Sequence, residues 1–253
     1  MLHADSALAI DEIVDVEAVV RDIAARLADL RRVETAVVIA PGQTAHPRSI
    51  GWYPYSLAQG YAGLALTFGY LDACFSGERW DIVAHAHLER AVAGLSTAYE
   101  SKRMPGVGLF SGLTGLAFAA CYLSRGGTRY QRLLRRLDKT IVSQAVEFAL
   151  RVQRQGSGPV SDFDLVSGLS GFAAYLLCRA KQADVAVALG QVLRSLVELA
   201  AETLVPRWQT PAHLLGDEAA RRLYPSGNLN CGLAHGIPGP LAALSLACKA
   251  GAS

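Results

Sequence analysis

The chain has 253 residues, 51% of them hydrophobic and 18% charged, with 24 basic residues against 22 acidic ones. That length and apolar content are enough for a substantial buried core and exclude a disordered chain. The near balance of charge, with no basic patch interleaved with aromatics, argues against a nucleic-acid partner.

In chain order, the N-terminal stretch MLHADSALAIDEIVDVE carries acids where a secretory signal needs a basic start and a longer apolar run. Residues Val16 to Val33 then read as one amphipathic helix. Val16, Val19, Val20, Ile23, Leu27 and Leu30 form a single stripe, and Glu17/Arg21 and Asp22/Arg26 are i,i+4 ion pairs on the other side. Ala36 to Ala40, ending at Pro41, is the one short apolar run that resembles a strand.

A repeated pattern follows. Gln59-Gly60-Tyr61-Ala62-Gly63-Leu64-Ala65, Ser111-Gly112-Leu113-Thr114-Gly115-Leu116-Ala117 and Ser167-Gly168-Leu169-Ser170-Gly171-Phe172-Ala173 match one another. His235-Gly236-Ile237-Pro238-Gly239-Pro240-Leu241-Ala242 is a fourth copy, and the first glycines stand 52, 56 and 68 residues apart. Each motif opens an Ala/Leu-rich helix that is apolar on nearly all sides and so must be buried all round. Between the motifs lie helices with one apolar stripe, at Leu134, Leu137, Ile141, Ala145, Phe148 and Val152, and more loosely from Val185 to Leu204. An amphipathic outer helix alternating with a buried inner one predicts an all-α, two-layered α/α repeat, with residues 1–253 as a single domain.

Two uncharged runs, Met104 to Ser124 and Leu223 to Cys248, are long enough to test as membrane spans. Their glycines, together with Asn228, Asn230, His235 and the prolines of the second run, suit buried protein helices better, so no membrane span is expected. The five cysteines, Cys74, Cys121, Cys178, Cys231 and Cys248, are odd in number, widely spaced and never Cys-x-x-Cys. That usage fits a reducing cytoplasm. Cys121, Cys178 and Cys248 fall inside inner helices, where cysteine behaves as a small buried apolar group.

Gly-x-x-Gly at a helix start serves either close packing or access to the unpaired N–H groups of the first turn. The residue before each first glycine sets the copies apart. Gln59, Ser111, Ser167 and His235 occupy equivalent positions and are expected around one mouth, as substrate-contacting residues. Of the four, His235 alone can transfer a proton near neutral pH. Asp164, three residues before Ser167, is either a helix cap or a partner for His235. Asp162, nearby on an irregular segment, is expected in solvent.

The repeated helices, Asp164-Leu165-Val166-Ser167-Gly168-Leu169-Ser170-Gly171 and above all Asn230-Cys231-Gly232-Leu233-Ala234-His235-Gly236-Ile237-Pro238-Gly239 resemble the lanthionine synthetase C-like family of lanthipeptide cyclases. The resemblance implies an α/α toroid of seven helical hairpins, of which this chain supplies about four. It implies a zinc-dependent addition of cysteine thiols to dehydroalanine or dehydrobutyrine in a dehydrated precursor peptide, giving lanthionine or methyllanthionine, with a lanthipeptide dehydratase as a further partner. His235 matches the family's active-site histidine and Asp164 its aspartate.

The family's zinc ligands, a cysteine and an adjacent Cys-His pair, belong to later hairpins. This chain has no Cys-His dipeptide, and Lys249 follows Cys248. Zinc is thus expected from the resemblance while its ligands are absent here, so the chain alone is expected to be inactive. An arc of four hairpins leaves apolar faces at its ends and is expected to self-associate. Three other readings stay open: a non-catalytic peptide-binding or scaffold relative, a toroid glycosidase using Asp162 and Asp164, and an unrelated helical binding repeat.

Overall fold

A computed structural model describes residues 15–45, 51–201 and 206–252. They fall into two compact units, one within Met1–Ile50 and one within Gly51–Ser253.

In the first unit, α1 (Val16–Ala28) starts at Asp15, whose side chain accepts a hydrogen bond from the Ala18 N–H at 3.1 Å. The ion pairs read from the sequence form, Arg21–Glu17 at 3.0 Å and Arg26–Asp22 at 2.6 Å. The single helix expected to Val33 does not. Asp29 is extended, and its carboxylate accepts from the N–H groups of Arg31 and Arg32 at 3.0 and 3.3 Å, capping a second helix, α2 (Leu30–Ile39). A local side-chain bond to the backbone here outcompetes continuation of the helix, as short acidic residues commonly do. The strand-like run at 36–40 is taken up by α2 and a 3-10 turn, Ala40–Gly42.

The second unit contains α3 (Tyr61–Cys74), α4 (Trp80–Glu100), α5 (Leu113–Tyr122), α6 (Gln131–Gln155), α7 (Leu169–Arg179), α8 (Ala183–Leu199), α9 (Glu218–Leu223) and α10 (Pro238–Lys249). The inner helices α3, α5, α7 and α10 pack side by side in that order, and α4, α6 and α8 each return along the inner helix before them. The expected all-α, two-layered architecture is therefore present, built as inner-to-outer hairpins. Among the described residues no helix is long and apolar enough to cross a membrane. The two uncharged runs resolve into irregular chain followed by the short helices α5 and α10.

In the second unit burial follows the sequence periodicity, whereas Val16, Val19 and Ile23 of the stripe read for α1 are exposed. Leu113 and Leu116 of α5, Leu169, Phe172 and Leu176 of α7, and Leu134 and Ile141 on the stripe of α6 are fully enclosed. Each such side chain contributes about 1.5–3 kcal/mol relative to exposure. The stripe of α8 is buried from Val185 to Leu199; Ala200 and Ala201 are exposed beyond the helix, and residues 202–204 of the run expected to reach Leu204 lie outside the described residues. Contrary to the reading of the inner-helix cysteines as buried apolar groups, Cys178 is exposed and Cys121 half-buried. A two-residue antiparallel pair, β1 (Gln209–Thr210) with β2 (Asn228–Leu229), lies between α8 and α10. It was not legible in the sequence because two residues are too few to show alternation.

One polar cluster is sealed into this core. Arg179 of α7 binds Asp138 of α6 through Nη2 at 2.7 Å and Nε at 3.3 Å, and the Tyr175 hydroxyl donates to the other oxygen of the same carboxylate. Burial first, then the Asp138 carboxylate, pushes the Tyr175 phenol well above its ordinary value, so it keeps its proton and stays a donor. Asp162 departs from expectation in the same way. It is buried and paired with Arg151 at 2.9 Å instead of facing solvent, because α6 brings a guanidinium alongside it.

Candidate active site

The inner helices α3, α5 and α7 begin at Gly60, Gly112 and Gly168, each in an extended N-cap conformation with negative φ. Left-handed freedom is therefore not what glycine supplies; the absence of Cβ is. A Cβ on Gly60 would lie 2.0 Å from the Tyr53 carbonyl oxygen, and one on Gly112 2.2 Å from that of Gly106. The second glycines face the carbonyl six residues earlier: Gly63 meets Leu57 at 2.1 Å, Gly115 meets Leu109 at 2.0 Å, Gly171 meets Leu165 at 2.5 Å and Gly239 meets Leu233 at 2.9 Å. Each motif thus curls the entering loop tightly over the first turn of its helix.

The four loops are stitched together by backbone hydrogen bonds. Ala58 N–H donates to the Phe110 carbonyl at 2.9 Å and Phe110 N–H to that of Val166 at 3.1 Å, both between residues two places before a first glycine. At the third junction the donor slips by one residue, and Leu165 N–H donates to the Ala234 carbonyl at 3.0 Å. The neighbours in sequence of those two residues are Asp164 and His235.

Their side chains meet. His235 Nδ1 lies 2.6 Å from Asp164 Oδ2. The other carboxylate oxygen of Asp164 accepts from the N–H groups of Ser167 and Gly168 at 2.7 and 2.9 Å. The two readings left open for Asp164 are thus both realised: it caps the loop entering α7 and holds the histidine. The Asp164 side chain is 1% exposed and that of His235 53%, so a buried anchor presents a ring to solvent. With Nδ1–H donating to the carboxylate, Nε2 faces outward and is the nitrogen available to a substrate.

The position of Asp164, four residues before the first glycine, carries a signal that the sequence reading missed. Its equivalents are Ser56, Gly108 and Gly232. Ser56 Oγ accepts from Gln59 N–H at 3.1 Å and donates across to the Phe110 carbonyl of the next loop at 2.8 Å. Ser56 and Asp164 therefore perform the same double task, tying their own loop and reaching the next, but only Asp164 meets an ionisable partner. Comparing all positions around the glycines, and not just the one before them, would have exposed this.

Gln59 and Ser111 are exposed and Ser167 is half-buried, at the equivalent points of the stitched loops. Their side chains make no hydrogen bond to Asp164 or His235 among the described residues; Ser167 joins the pair through its backbone alone. Cys231 is exposed, with Sγ 4.0 Å from the Leu229 carbonyl. Among the described residues no three His, Cys, Asp or Glu side chains cluster so as to hold a metal ion, and His235 Nδ1 is already taken by Asp164. These residues do not fit a zinc centre.

Comparison with known proteins gives the family and the fold. The lanthionine synthetase C-like protein family matches residues 51–253, and the chain belongs to that family. The nisin biosynthesis protein NisC of Lactococcus lactis subsp. lactis is 30% identical over 138 residues, covering 52% of this chain and 31% of NisC. The structure of a nisin cyclase shares the fold, with a TM-score of 0.69 at 23% identity over 88% of this chain and 54% of that one. The chain thus spans about a third to a half of the length of these relatives.

Proposed function

We propose that this chain forms the histidine-bearing part of a lanthipeptide cyclase, which adds a cysteine thiol of a dehydrated precursor peptide across a dehydroalanine or dehydrobutyrine. The observation that carries the reading is the contact between exposed His235 and buried Asp164, at 2.6 Å, in a chain of this family. As the new C–S bond forms at the β-carbon, the alkene electrons move to the α-carbon and carbonyl as an enolate. A proton must then reach the α-carbon. His235, oriented through Nδ1 by Asp164, presents Nε2 to deliver it. The proton shed by the thiol balances the one delivered, so the reaction is an isomerisation of the peptide. Gln59, Ser111 and Ser167 line the same loops and contact the peptide.

The zinc implied by the family resemblance has no fitting site in the described residues. The same observation favours a second reading, a non-catalytic relative that binds dehydrated peptide without turning it over. A lanthipeptide dehydratase upstream and assembly through the exposed Leu241 and Leu246 of α10 belong to the proposal as partners.

The test is to incubate the protein, within the complete cyclase of which it is proposed to form part, with a peptide carrying dehydroalanine and cysteine and to count remaining thiols by alkylation and mass spectrometry, since ring closure leaves mass unchanged. Loss of alkylatable thiol that disappears in His235→Asn supports the cyclase. Saturable peptide binding with every thiol retained supports the binding relative.

A further inference from the structure

The chain that enters α10 is longer than those entering α5 and α7: it runs from 200 to 237, against 101–112 and 156–168. Arg207 fixes its start, donating to the Val152, Gln153 and Glu198 carbonyls at 3.2, 3.1 and 3.3 Å and so capping the ends of α6 and α8. β1 then pairs with β2, Gln209 opposite Leu229 and Thr210 opposite Asn228. The residues next in that register are Trp208 and Asn230. The rings of Trp208 and Phe163 meet edge to face, with centroids 5.2 Å apart and planes at 88°.

From this arrangement we infer that Trp208 is a positioning residue for the Asp164–His235 pair, bracing the two loops so that His235 Nδ1 stays on the carboxylate. The inference rests on the reading of that pair as the site that delivers the proton. The Leu165–Ala234 hydrogen bond already joins the residue after Asp164 to the residue before His235. The brace joins the opposite flanks. Phe163, which precedes Asp164, is 1% exposed, and its carbonyl accepts from the Ser170 hydroxyl at 2.6 Å. At the other end, the Asn230 carbonyl accepts from Ile237 N–H at 2.9 Å and its Oδ1 accepts from Gly232 N–H at 2.8 Å. A Cβ on Gly236 would lie 2.1 Å from that same carbonyl oxygen. Gly236 and Ile237 are the residues that follow His235.

Contacts therefore run from Phe163 through Trp208, the strand pair and Asn230 to Ile237, closing a ring around the Asp164–His235 contact. Ties on both flanks fix orientation as well as distance, where a single tie leaves a hinge. This matters because the His235 side chain is 53% exposed, and one hydrogen bond to a solvent-facing ring does little to stop it turning. A tryptophan suits the end of such a brace. Its ring is large and rigid, and an edge-to-face contact with an enclosed aromatic has a preferred geometry. Trp208 acts through the histidine and needs no contact with the peptide.

The experiment compares the full chain, carrying isotope-labelled histidine, with Trp208→Leu and Trp208→Phe by nitrogen NMR at a pH that keeps the imidazole neutral. The His235 signals are assigned from their loss in His235→Asn. The wild-type ring should hold its proton on Nδ1, because the partner of one nitrogen fixes the tautomer. Trp208→Leu should lose that preference, and Trp208→Phe, which keeps a ring against Phe163, should retain it. In the complete cyclase, Trp208→Leu should also lower kcat about 10- to 10²-fold, as misplacement by up to about 1 Å does, with KM unchanged and Trp208→Phe close to the wild type. A fixed Nδ1–H tautomer in Trp208→Leu, or a wild-type ring without one, overturns the inference. If Trp208→Leu does not fold, Asn230→Ala loosens the other end of the brace and should show the same loss; an unchanged tautomer there overturns the inference. Loss of the tautomer in Trp208→Leu beside full cyclisation by His235→Asn sustains the positioning role and removes the reading of His235 as the proton donor.

Discussion

The loops entering α3 and α7 are built on the same plan and put to different use. In both, the residue four places before the first glycine caps its own loop and reaches into the next. Ser56 does so with a neutral hydroxyl to the Phe110 carbonyl, whereas Asp164 does so with a carboxylate to His235. A structural bridge thus becomes a candidate catalytic pair by changing the residue at each end. The backbone beneath hardly changes: only the donor at the third junction slips by one residue. A cap that is already buried and fixed by backbone N–H groups is a good anchor for an imidazole, because no further ordering is needed when the substrate arrives.

The largest expected effect separates the two bridges at the chemical end. In the complete cyclase of which this chain is proposed to form part, His235→Asn should lower cyclisation by about 10²–10⁴-fold, the usual worth of a positioned proton donor, with helical content by circular dichroism unchanged. Asp164→Asn sharpens the point. Its amide oxygen still accepts from Ser167 and Gly168, so the loop stays capped, but its NH₂ group cannot accept from Nδ1–H. Cyclisation should fall by about 10²-fold, while the melting temperature stays close to that of the wild type. A mutant as active as the wild type would reduce Asp164 to a cap like Ser56.

The remaining expected effects are on stability. Gly115→Ala forces a Cβ to within 2.0 Å of the Leu109 carbonyl oxygen and should cost about 1–3 kcal/mol by denaturant titration. Gly239→Ala should cost less, since the matching Leu233 oxygen stands at 2.9 Å. Equal losses at both would mean that the four loops are not graded in tightness as their spacings indicate. Ser56→Ala removes one cap and one bridge and should cost about 1 kcal/mol, with no change in the cyclisation assay. A large activity loss there would show that the whole stitched edge, and not the Asp164–His235 junction alone, forms the site.

Much of this was written in the pattern of residues. The repeated Gly-x-x-Gly motifs located the starts of four inner helices, and the stripe in α6 named its buried face. Asp164 and His235 were identifiable as a candidate pair because their loops occupy equivalent places in the repeat. The break at Asp29 was harder to see, since the apolar stripe of 16–33 continues through it and only the local bonds of the Asp29 carboxylate end the helix. The burial of Asp162 and the cluster of Asp138, Arg179 and Tyr175 were not legible at all. Each joins residues from different helices whose rotation about their axes periodicity does not specify.

The sequence by itself determined the number of inner helices, where each begins, and which residue types stand at their mouths, because 3.6-residue periodicity and the steric demand for glycine are local properties. Tertiary structure alone decided which of those residues touch. The packing of α7 against α10 and the one-residue slip between their loops bring Asp164 to His235. Such meetings depend on the relative placement of helices, a property of the assembled core and not of any single segment.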